Sequence, residues 1–342
     1  MEPPAEPPVG AARPRLVHAR PAPPPPPADG ADLRAKRVEF EHDRLDPEPP
    51  GNGCDALGLR RACSFKVVVP GAGLTLRLSV APPVGGGAPT GVLYVLDPEP
   101  ELFVLVAAHV LSRAGYDSES APPSPLRGLA VVGVGHHPDA MLGAATLGFR
   151  GADGSWDVDA MRALRRRDFL GRDAAEAPGR FLDALCDVVV PRAEAALAAR
   201  AGGSGARLPA ARRAILGCSL SALVGLRALF DGGPRGAVFG RFILGSPSLP
   251  LCPEVVELER RPEWARGARR VGARVFFAAG ELEGNPRSGG NSIPKAAQRM
   301  ADALKKRGVA ASDVQMIKGE EHGTAKPSIV SRGLSWLEAT WS

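Results

Sequence analysis

The sequence predicts an α/β fold in which a mostly parallel central sheet carries helices on both faces. Short, wholly apolar runs such as Gly91 to Leu96 and Leu129 to Val134 are typical of strands that are buried on both sides. They alternate with longer stretches of helical periodicity, such as Phe181 to Arg200. This alternation indicates parallel strands joined by crossover helices. With 342 residues, 44% of them hydrophobic, the chain can bury a large core.

The first 51 residues differ in composition from the rest of the chain. Fourteen of the 35 prolines lie in the first 50 residues, and Pro23 to Pro27 are consecutive. Such a segment favours polyproline II and buries too little apolar surface to fold alone. We therefore expect residues 1–51 to be a disordered Pro/Ala-rich tail and residues 52–342 to form one domain. A ligand for proline-recognising domains is the alternative interpretation of the tail.

Charge and cysteine content favour a cytoplasmic protein that binds no nucleic acid. The net charge is +6, and the basic clusters Arg165–Arg167 and Lys305–Arg307 are not interleaved with aromatic residues. The five cysteines form no C-x-x-C pair, which favours reduced thiols. No apolar run reaches the roughly 18 residues of a membrane span. An acid-free interval containing Arg13 and Arg20 leaves organelle targeting open, and the sequence does not determine the oligomeric state.

The predicted elements begin with a β-hairpin and end with a helix. The predicted strands span residues 64–69, 74–80, 91–96, 129–134, 214–216, 241–244, 274–279 and 314–317. The predicted helices span residues 102–114, 181–200, 220–230, 293–307 and 327–340. The charged stretch 250–270 contains Pro253 and Pro262, and we expect it to be a small cap or lid insertion.

The central stretch of the chain is a strand, a tight turn and a helix with a serine at the apex of the turn. The apolar run Ala214 to Leu216 breaks at Gly217, Ser219 follows, and an amphipathic helix begins at Leu220. This pattern is typical of a nucleophile elbow, which exposes the serine hydroxyl to a base. The elbow also directs the Leu220 N–H and the helix N-terminus at a developing oxyanion. A turn followed by an ordinary N-cap is the alternative for this motif taken alone.

The order of polar residues along the chain strengthens the case for a catalytic serine. Ser219 follows one strand, the acidic pair Glu281 and Glu283 follows a later strand, and His322 follows the last strand. His322 is also the only histidine in the C-terminal 200 residues. The order Ser, acid, His at successive strand ends is that of the α/β-hydrolase triad. We predict Ser219, His322 and Glu283 as catalytic residues, with Glu281 as the reserve for the acid.

Several segments together resemble one family. They are Tyr94-Val-Leu-Asp97, Val132-Gly-Val-Gly135, Arg167-Asp168-Phe169, Phe181 through Pro191, Gly217-Cys-Ser-Leu220, Gly245-Ser-Pro-Ser248, Gly280-Glu-Leu-Glu283, and His322-Gly323 with Arg332-Gly-Leu334. On these segments the chain resembles the serine-esterase family that includes ferric-siderophore esterases such as enterobactin esterase, within the wider esterase D-like α/β-hydrolases. The resemblance spans about residues 90 to 338. It implies carboxylic-ester hydrolysis through an acyl-enzyme, with Ser219, Glu283 and His322 as the triad.

Two positions depart from the family pattern. Ser221 stands where the family usually has a glycine, and a small serine can pack there. Pro98 follows Leu96-Asp97 where the family usually has Leu-Asp-Gly, in the loop that should supply the second oxyanion donor. Proline has no N–H, so that donor must come from Asp97 or Glu99 or be missing. We predict Leu220 and Asp97 as the oxyanion donors.

Polar groups outside the triad suggest an anionic-substrate site but no cofactor. The segment Arg165 to Asp168 would form a cationic rim that suits an anionic substrate, with Arg167 and Asp168 as the predicted substrate-binding residues. A surface salt-bridge cluster is the alternative for this segment. No metal site is predicted, because His136 and His137 have no carboxylate or cysteine at ligand spacing. Gly280 to Gly290 lacks the strand and helix of a dinucleotide loop, so no cofactor is predicted either.

The expected function is that of a serine hydrolase acting on small-molecule carboxylic esters, of the siderophore-lactone or short-acyl type. Two alternatives stay open. The first is a catalytically weakened hydrolase fold that serves as a binding protein, which Pro98 would explain. The second is an acyltransferase that uses the same three residues.

Overall fold

A computed structural model of the protein describes residues 62–69, 72–97, 100–115, 123–136, 163–170, 180–202, 207–284 and 292–341. The predicted tail, residues 1–51, lies outside the described residues, and so do Pro98 and Glu99. Within the described residues no helix is long and apolar enough to cross a membrane.

The described strands form a single nine-stranded sheet. They are β1 Cys63–Val69, β2 Leu74–Ala81, β3 Gly91–Leu96, β4 Leu129–His136, β5 Arg213–Cys218, β6 Arg241–Gly245, β7 Arg274–Gly280, β8 Ala310–Ala311 and β9 Gln315–Ile317. The order across the sheet is β1-β2-β4-β3-β5-β6-β7-β8, with β9 also paired to β7. Only the β1–β2 and β2–β4 pairs are antiparallel. The predicted mostly parallel sheet is confirmed.

Helices cover both faces of the sheet. They are α1 Pro100–Gly115, α2 Arg180–Ala184, α3 Val190–Arg200, α4 Leu220–Phe230, α5 Pro253–Arg260, α6 Glu263–Arg270, α7 Ile293–Lys306 and α8 Lys326–Trp341. A π-helical segment, Leu185–Val189, joins α2 to α3 into the long helix that the periodicity predicts. One apolar cluster contains buried residues of α1 and α8, and the other contains those of α2 to α7. Each face of the sheet therefore packs its own core.

Strand β5 lies in the interior of the sheet and is covered on all sides. Every residue of β5 is buried, and β3 and β6 flank it in parallel register. Such a strand cannot be an edge strand, because both of its ladders and both of its faces are covered. The carboxyl ends of β3, β5, β6 and β7 thus lie side by side, and the loops that follow them meet at one edge of the sheet.

The stretch predicted to be a cap or lid is instead a crossover connection, so that part of the prediction is wrong. Residues 253–270 form α5 and α6, which join the parallel strands β6 and β7. Trp264 of α6 is 1% exposed, and its ring packs 4.9 Å from that of Phe230 on α4. Parallel neighbours need a helical crossover, and the charged residues of this stretch are its solvent face.

Candidate active site

Ser219 occupies a sharp turn between β5 and α4. Its backbone angles are φ 62° and ψ −120°, a strained left-handed conformation for a residue with a side chain. Its N–H donates to the carbonyl of Gly245 on the neighbouring strand at 2.9 Å, which holds the turn in place. Gly217 is required for the close approach, because a Cβ there would lie 2.5 Å from the carbonyl oxygen of Ser221. The predicted strand, tight turn and helix are all present.

Ser221, which replaces the glycine of the family pattern, ties the turn together. Its Oγ accepts a hydrogen bond from the Cys218 N–H at 3.0 Å and donates to the Cys218 carbonyl at 2.8 Å. The side chain is 1% exposed, so these backbone groups have no access to competing water. Serine therefore fits the space and adds two hydrogen bonds that glycine would lack.

The imidazole of His322 lies between Ser219 and a carboxylate. Its Nε2 is 2.9 Å from Ser219 Oγ, and its Nδ1 is 2.8 Å from Glu283 Oε2. A carboxylate only accepts, so Nδ1 carries the proton and Nε2 of the neutral ring is free to accept the serine proton. The His322 side chain is 45% exposed whereas that of Glu283 is 2% exposed, so the site opens to solvent at the histidine.

Glu283 is held by three donors, and it is the acid that the structure places against His322. Its Oε1 accepts from the Gly280 N–H at 2.7 Å and from the Ser246 hydroxyl at 2.6 Å. Burial raises the pKa of this carboxyl, but the hydrogen bonds from His322, Ser246 and Gly280 outweigh burial, and the net pKa is lowered. The exposed Glu281 instead accepts from the Gly319 N–H at 2.9 Å.

Two serines in the turn after β6 also reach this chain of hydrogen bonds, and sequence reasoning assigned neither a role. Ser246 donates to Glu283, as described above, and Ser248 Oγ lies 3.0 Å from Ser219 Oγ. Both are buried, at 2% and 3% exposure. The available signal was their position, because the turn Gly245-Ser-Pro-Ser248 follows a strand that adjoins β5.

Cys218, next to Ser219 in the sequence, does not compete with it as a nucleophile. Burial raises the pKa of this thiol to about 12. Since the thiolate is the reactive form of cysteine, a thiol with this pKa is inert near neutral pH.

The N–H groups of the two predicted oxyanion donors, Leu220 and Asp97, have different surroundings in the structure. Leu220 is the first residue of α4, so its N–H has no acceptor within the helix. The Asp97 N–H donates to the carbonyl of Val134 at 2.9 Å and is therefore already committed, which corrects its assignment as a donor. The Asp97 carboxylate pairs instead with Arg165 Nη2 at 2.5 Å. Glu99, the other candidate, lies outside the described residues.

Solved structures of several proteins share this architecture. The siderophore hydrolase EstB from Aspergillus nidulans matches with a TM-score of 0.59 at 18% identity, over 81% of this chain and 95% of its own. The siderophore hydrolase EstA from the same organism matches with a TM-score of 0.58 at 16% identity, over 87% and 99%. The BES protein from Bacillus cereus matches with a TM-score of 0.57 at 17% identity, over 81% and 94%. The fold is that of the α/β-hydrolases. Neither a protein-family model nor a curated protein matches the chain.

The predicted substrate-binding pair has other partners in this α/β-hydrolase fold. Asp168 Oδ2 accepts from His136 Nε2 at 2.7 Å, and both Asp168 oxygens accept from Arg167 at 2.6 and 2.9 Å. Burial raises the pKa of Asp168, but these hydrogen bonds outweigh burial and the net pKa is lowered. The Asp168 side chain is 6% exposed and that of Arg167 45%. These contacts favour the salt-bridge alternative for Asp168, and a substrate contact at Arg167 stays a prediction.

The described part of the chain contains no group of three or more metal-ligating side chains. His136 is bound to Asp168, and His137 lies outside the described residues.

Proposed function

We propose that the protein is a serine hydrolase that cleaves carboxylic esters through an acyl-enzyme. The observation that supports this most directly is the continuous chain of hydrogen bonds from Ser219 through His322 to Glu283. A strained elbow, a base-competent imidazole and a buried carboxylate are the three parts that a serine nucleophile requires.

In the acylation step, Ser219 Oγ attacks the ester carbonyl carbon while its proton moves to His322 Nε2. The carbonyl oxygen becomes an oxyanion, which the Leu220 N–H and the N-terminus of α4 stabilise. Glu283 stabilises the imidazolium through the proton on Nδ1. The C–O bond to the alcohol then breaks, the oxyanion electrons re-form the carbonyl, and the Nε2 proton moves to the leaving alkoxide.

Deacylation repeats this sequence with water as the nucleophile. His322 Nε2 takes a proton from the water as its oxygen attacks the acyl carbon. The second tetrahedral intermediate collapses, the C–O bond to Ser219 breaks, and the proton on Nε2 returns to Ser219 Oγ. The carboxylic acid leaves, and the enzyme is restored. An alcohol in place of water would give acyl transfer by the same steps.

The substrate class we favour is a small ester of the siderophore-lactone or short-acyl type. Two of the matching structures are siderophore hydrolases, which supports including a lactone among the candidates. The exposed face of His322 leaves the leaving-group side open to solvent, where a bulky alcohol could be accommodated.

The test combines an activity-based label with a substrate panel. A fluorophosphonate should label the wild-type protein stoichiometrically, peptide mass spectrometry should place the label on Ser219, and Ser219→Ala should not be labelled. Turnover is then measured on p-nitrophenyl esters of increasing chain length and on a catecholate trilactone, with product analysis in the presence of an added alcohol. A folded wild-type protein that resists the label and hydrolyses no ester would refute the proposal.

A catalytically weakened binding protein is the second candidate, and a specific observation favours it. Residue 98 is proline, which has no N–H, and the Asp97 N–H is committed to Val134. Loss of one oxyanion donor lowers kcat by about 10²–10³ in other hydrolases. Stoichiometric but slow labelling, with tight binding of an unhydrolysed ester, would support this candidate.

A further inference from the structure

Ser248 is not one of the three residues of the proposed triad, yet its hydroxyl contacts the proposed nucleophile. Ser248 Oγ is 3.0 Å from Ser219 Oγ, and the Ser248 side chain is 3% exposed. Its position is fixed by the backbone, because the Ser248 N–H donates to the Ser219 carbonyl at 3.3 Å. On its other side, the Ser246 N–H donates to the carbonyl of Ala278 on β7 at 2.7 Å. The turn is thus anchored to both neighbouring strand ends.

The direction of the bond between the two hydroxyls follows from the rest of the site. Glu283 accepts the Nδ1 proton of His322, so Nε2 of the neutral ring is an acceptor and Ser219 must donate its only proton to it. Ser219 Oγ therefore has no proton left for Ser248. The Ser248 hydroxyl is the donor, and it is directed at a lone pair of the nucleophilic oxygen.

We propose that Ser248 is a further catalytic residue of the hydrolase, whose hydroxyl donates to Ser219 Oγ whenever that oxygen carries negative charge. This inference rests on the proposed function. Charge develops on Oγ as His322 removes the serine proton, and again when Oγ leaves the acyl carbon in deacylation. A hydrogen bond to a charged oxygen is stronger than one to a neutral hydroxyl, so the contact lowers the barrier of both steps.

The matched control is a second pair of serines outside the site. Ser64 and Ser79 face each other across the β1–β2 hairpin with a separation of 3.1 Å between their hydroxyl oxygens. Ser79→Ala removes one hydroxyl of an equivalent pair at a distance from the triad. Ser248→Thr keeps a hydroxyl at the tested position, and Ser248→Cys replaces Ser248→Ala if the alanine variant does not fold, because a thiol is only a weak donor.

The experiment measures the inactivation rate constant, kinact, and the reversible constant, KI, for a fluorophosphonate, together with kcat and KM on p-nitrophenyl acetate. Ser248→Ala should lower kinact and kcat by about 10- to 100-fold and leave KI and KM within about twofold, since the lost bond is one to a developing charge. Ser248→Thr should recover most of the rate, and Ser79→Ala should equal wild type. The pH midpoint of kcat/KM should not move, because the His322–Glu283 contact is intact.

Other outcomes have definite meanings. A folded Ser248→Ala or Ser248→Cys variant with kinact close to that of wild type would overturn the role of Ser248 and leave the proposed function standing. Equal losses in Ser248→Ala and Ser248→Thr would also overturn it, because they would indicate packing and not donation. A wild-type protein that is never labelled would instead refute the proposed function itself.

Discussion

The exchange Glu283→Gln tests the site most sharply, because the carboxylate uses both of its oxygens. Oε2 accepts from His322, while Oε1 accepts from the Gly280 N–H and the Ser246 hydroxyl. A carboxamide has one acceptor oxygen and one NH₂ donor. The amide oxygen can therefore face either His322 or the Gly280 N–H, but not both. The Ser246 hydroxyl can rotate and accept from the NH₂ group, so it does not decide between the two orientations.

The expected loss of kcat/KM in Glu283→Gln follows from the two orientations that the amide can take. With the NH₂ group towards His322, the ring must place its proton on Nε2 and can no longer accept the proton of Ser219. With the NH₂ group towards the Gly280 N–H, one buried donor is left unsatisfied at a cost of about 1–3 kcal/mol, so the productive orientation falls to roughly one molecule in 5 to 150. Loss of the charged hydrogen bond to the imidazolium costs about another 1.5–3 kcal/mol in the transition state. We expect kcat/KM to fall by about 10²–10⁴.

The assay compares Glu283→Gln with Glu281→Gln on p-nitrophenyl acetate, with thermal melting to show that both variants fold. Within the described residues Glu281 accepts from the Gly319 N–H, and an amide oxygen can keep that bond. Glu281→Gln should therefore stay within about twofold of wild type. A Glu283→Gln variant that keeps more than a tenth of the activity, or a larger loss in Glu281→Gln, would refute this account of the acid.

Four further predictions follow from the site and the chain. Ser219→Ala and His322→Ala should each abolish ester hydrolysis, and the double variant should be hardly slower than either, since triad members act as a unit; additive losses in kcat would contradict the triad. Pro98→Gly should raise kcat by about tenfold with little change in KM, since glycine supplies an N–H that proline lacks; an unchanged kcat would show that another donor already fills the place. Because the pKa of Glu283 is lowered in the folded protein, its ionised form stabilises the fold. This stabilisation is fully present above the ordinary carboxyl pKa and is lost as the pH falls through the lowered pKa. Urea unfolding should thus separate wild type from Glu283→Gln at pH 7, with the curves converging in acid. Proteolytic removal of residues 1–51 should leave melting temperature and activity unchanged, and loss of the fold would refute the predicted domain boundary.

Much of the fold was accessible from the sequence because its signals are local. The short apolar run Gly91 to Leu96 is typical of a strand covered on both faces, and the observed β3 has the same bounds. The elbow is recognisable from the sequence because the turn needs a residue without a side chain at Gly217. The same turn holds Ser219, two residues later, at a positive φ. The prediction of a cap or lid for residues 250–270 is wrong because the charged residues of this stretch dominate its pattern. Its buried side, with Trp264 packed against α4, is visible only in the structure.

The contacts that distinguish the two acids depend on tertiary structure. Glu281 and Glu283 lie two residues apart in one 3-10 turn, and the local pattern lets either reach the histidine, although the sequence prediction prefers Glu283. Gly280 approaches the Glu320 carbonyl so closely that a Cβ would lie 2.4 Å from its oxygen, and this packing presents Glu283 to His322 while Glu281 faces solvent. The direction of a side chain in a short turn is set by what the turn packs against, which no local pattern records.

The sequence by itself determined most of the strand and helix order, although not α5, α6 or the short β8. With that order it placed Ser219 at the end of β5 and His322 beyond the last strand. Those features follow from hydrophobic periodicity and from chain order, which parallel topology converts into proximity. Only the tertiary structure decided that the Asp97 N–H donates to the Val134 carbonyl and that Ser248 Oγ lies within hydrogen-bond distance of Ser219 Oγ. Both contacts join residues from different strand ends, so they depend on which strands are neighbours and on their register, and these are properties of the assembled sheet.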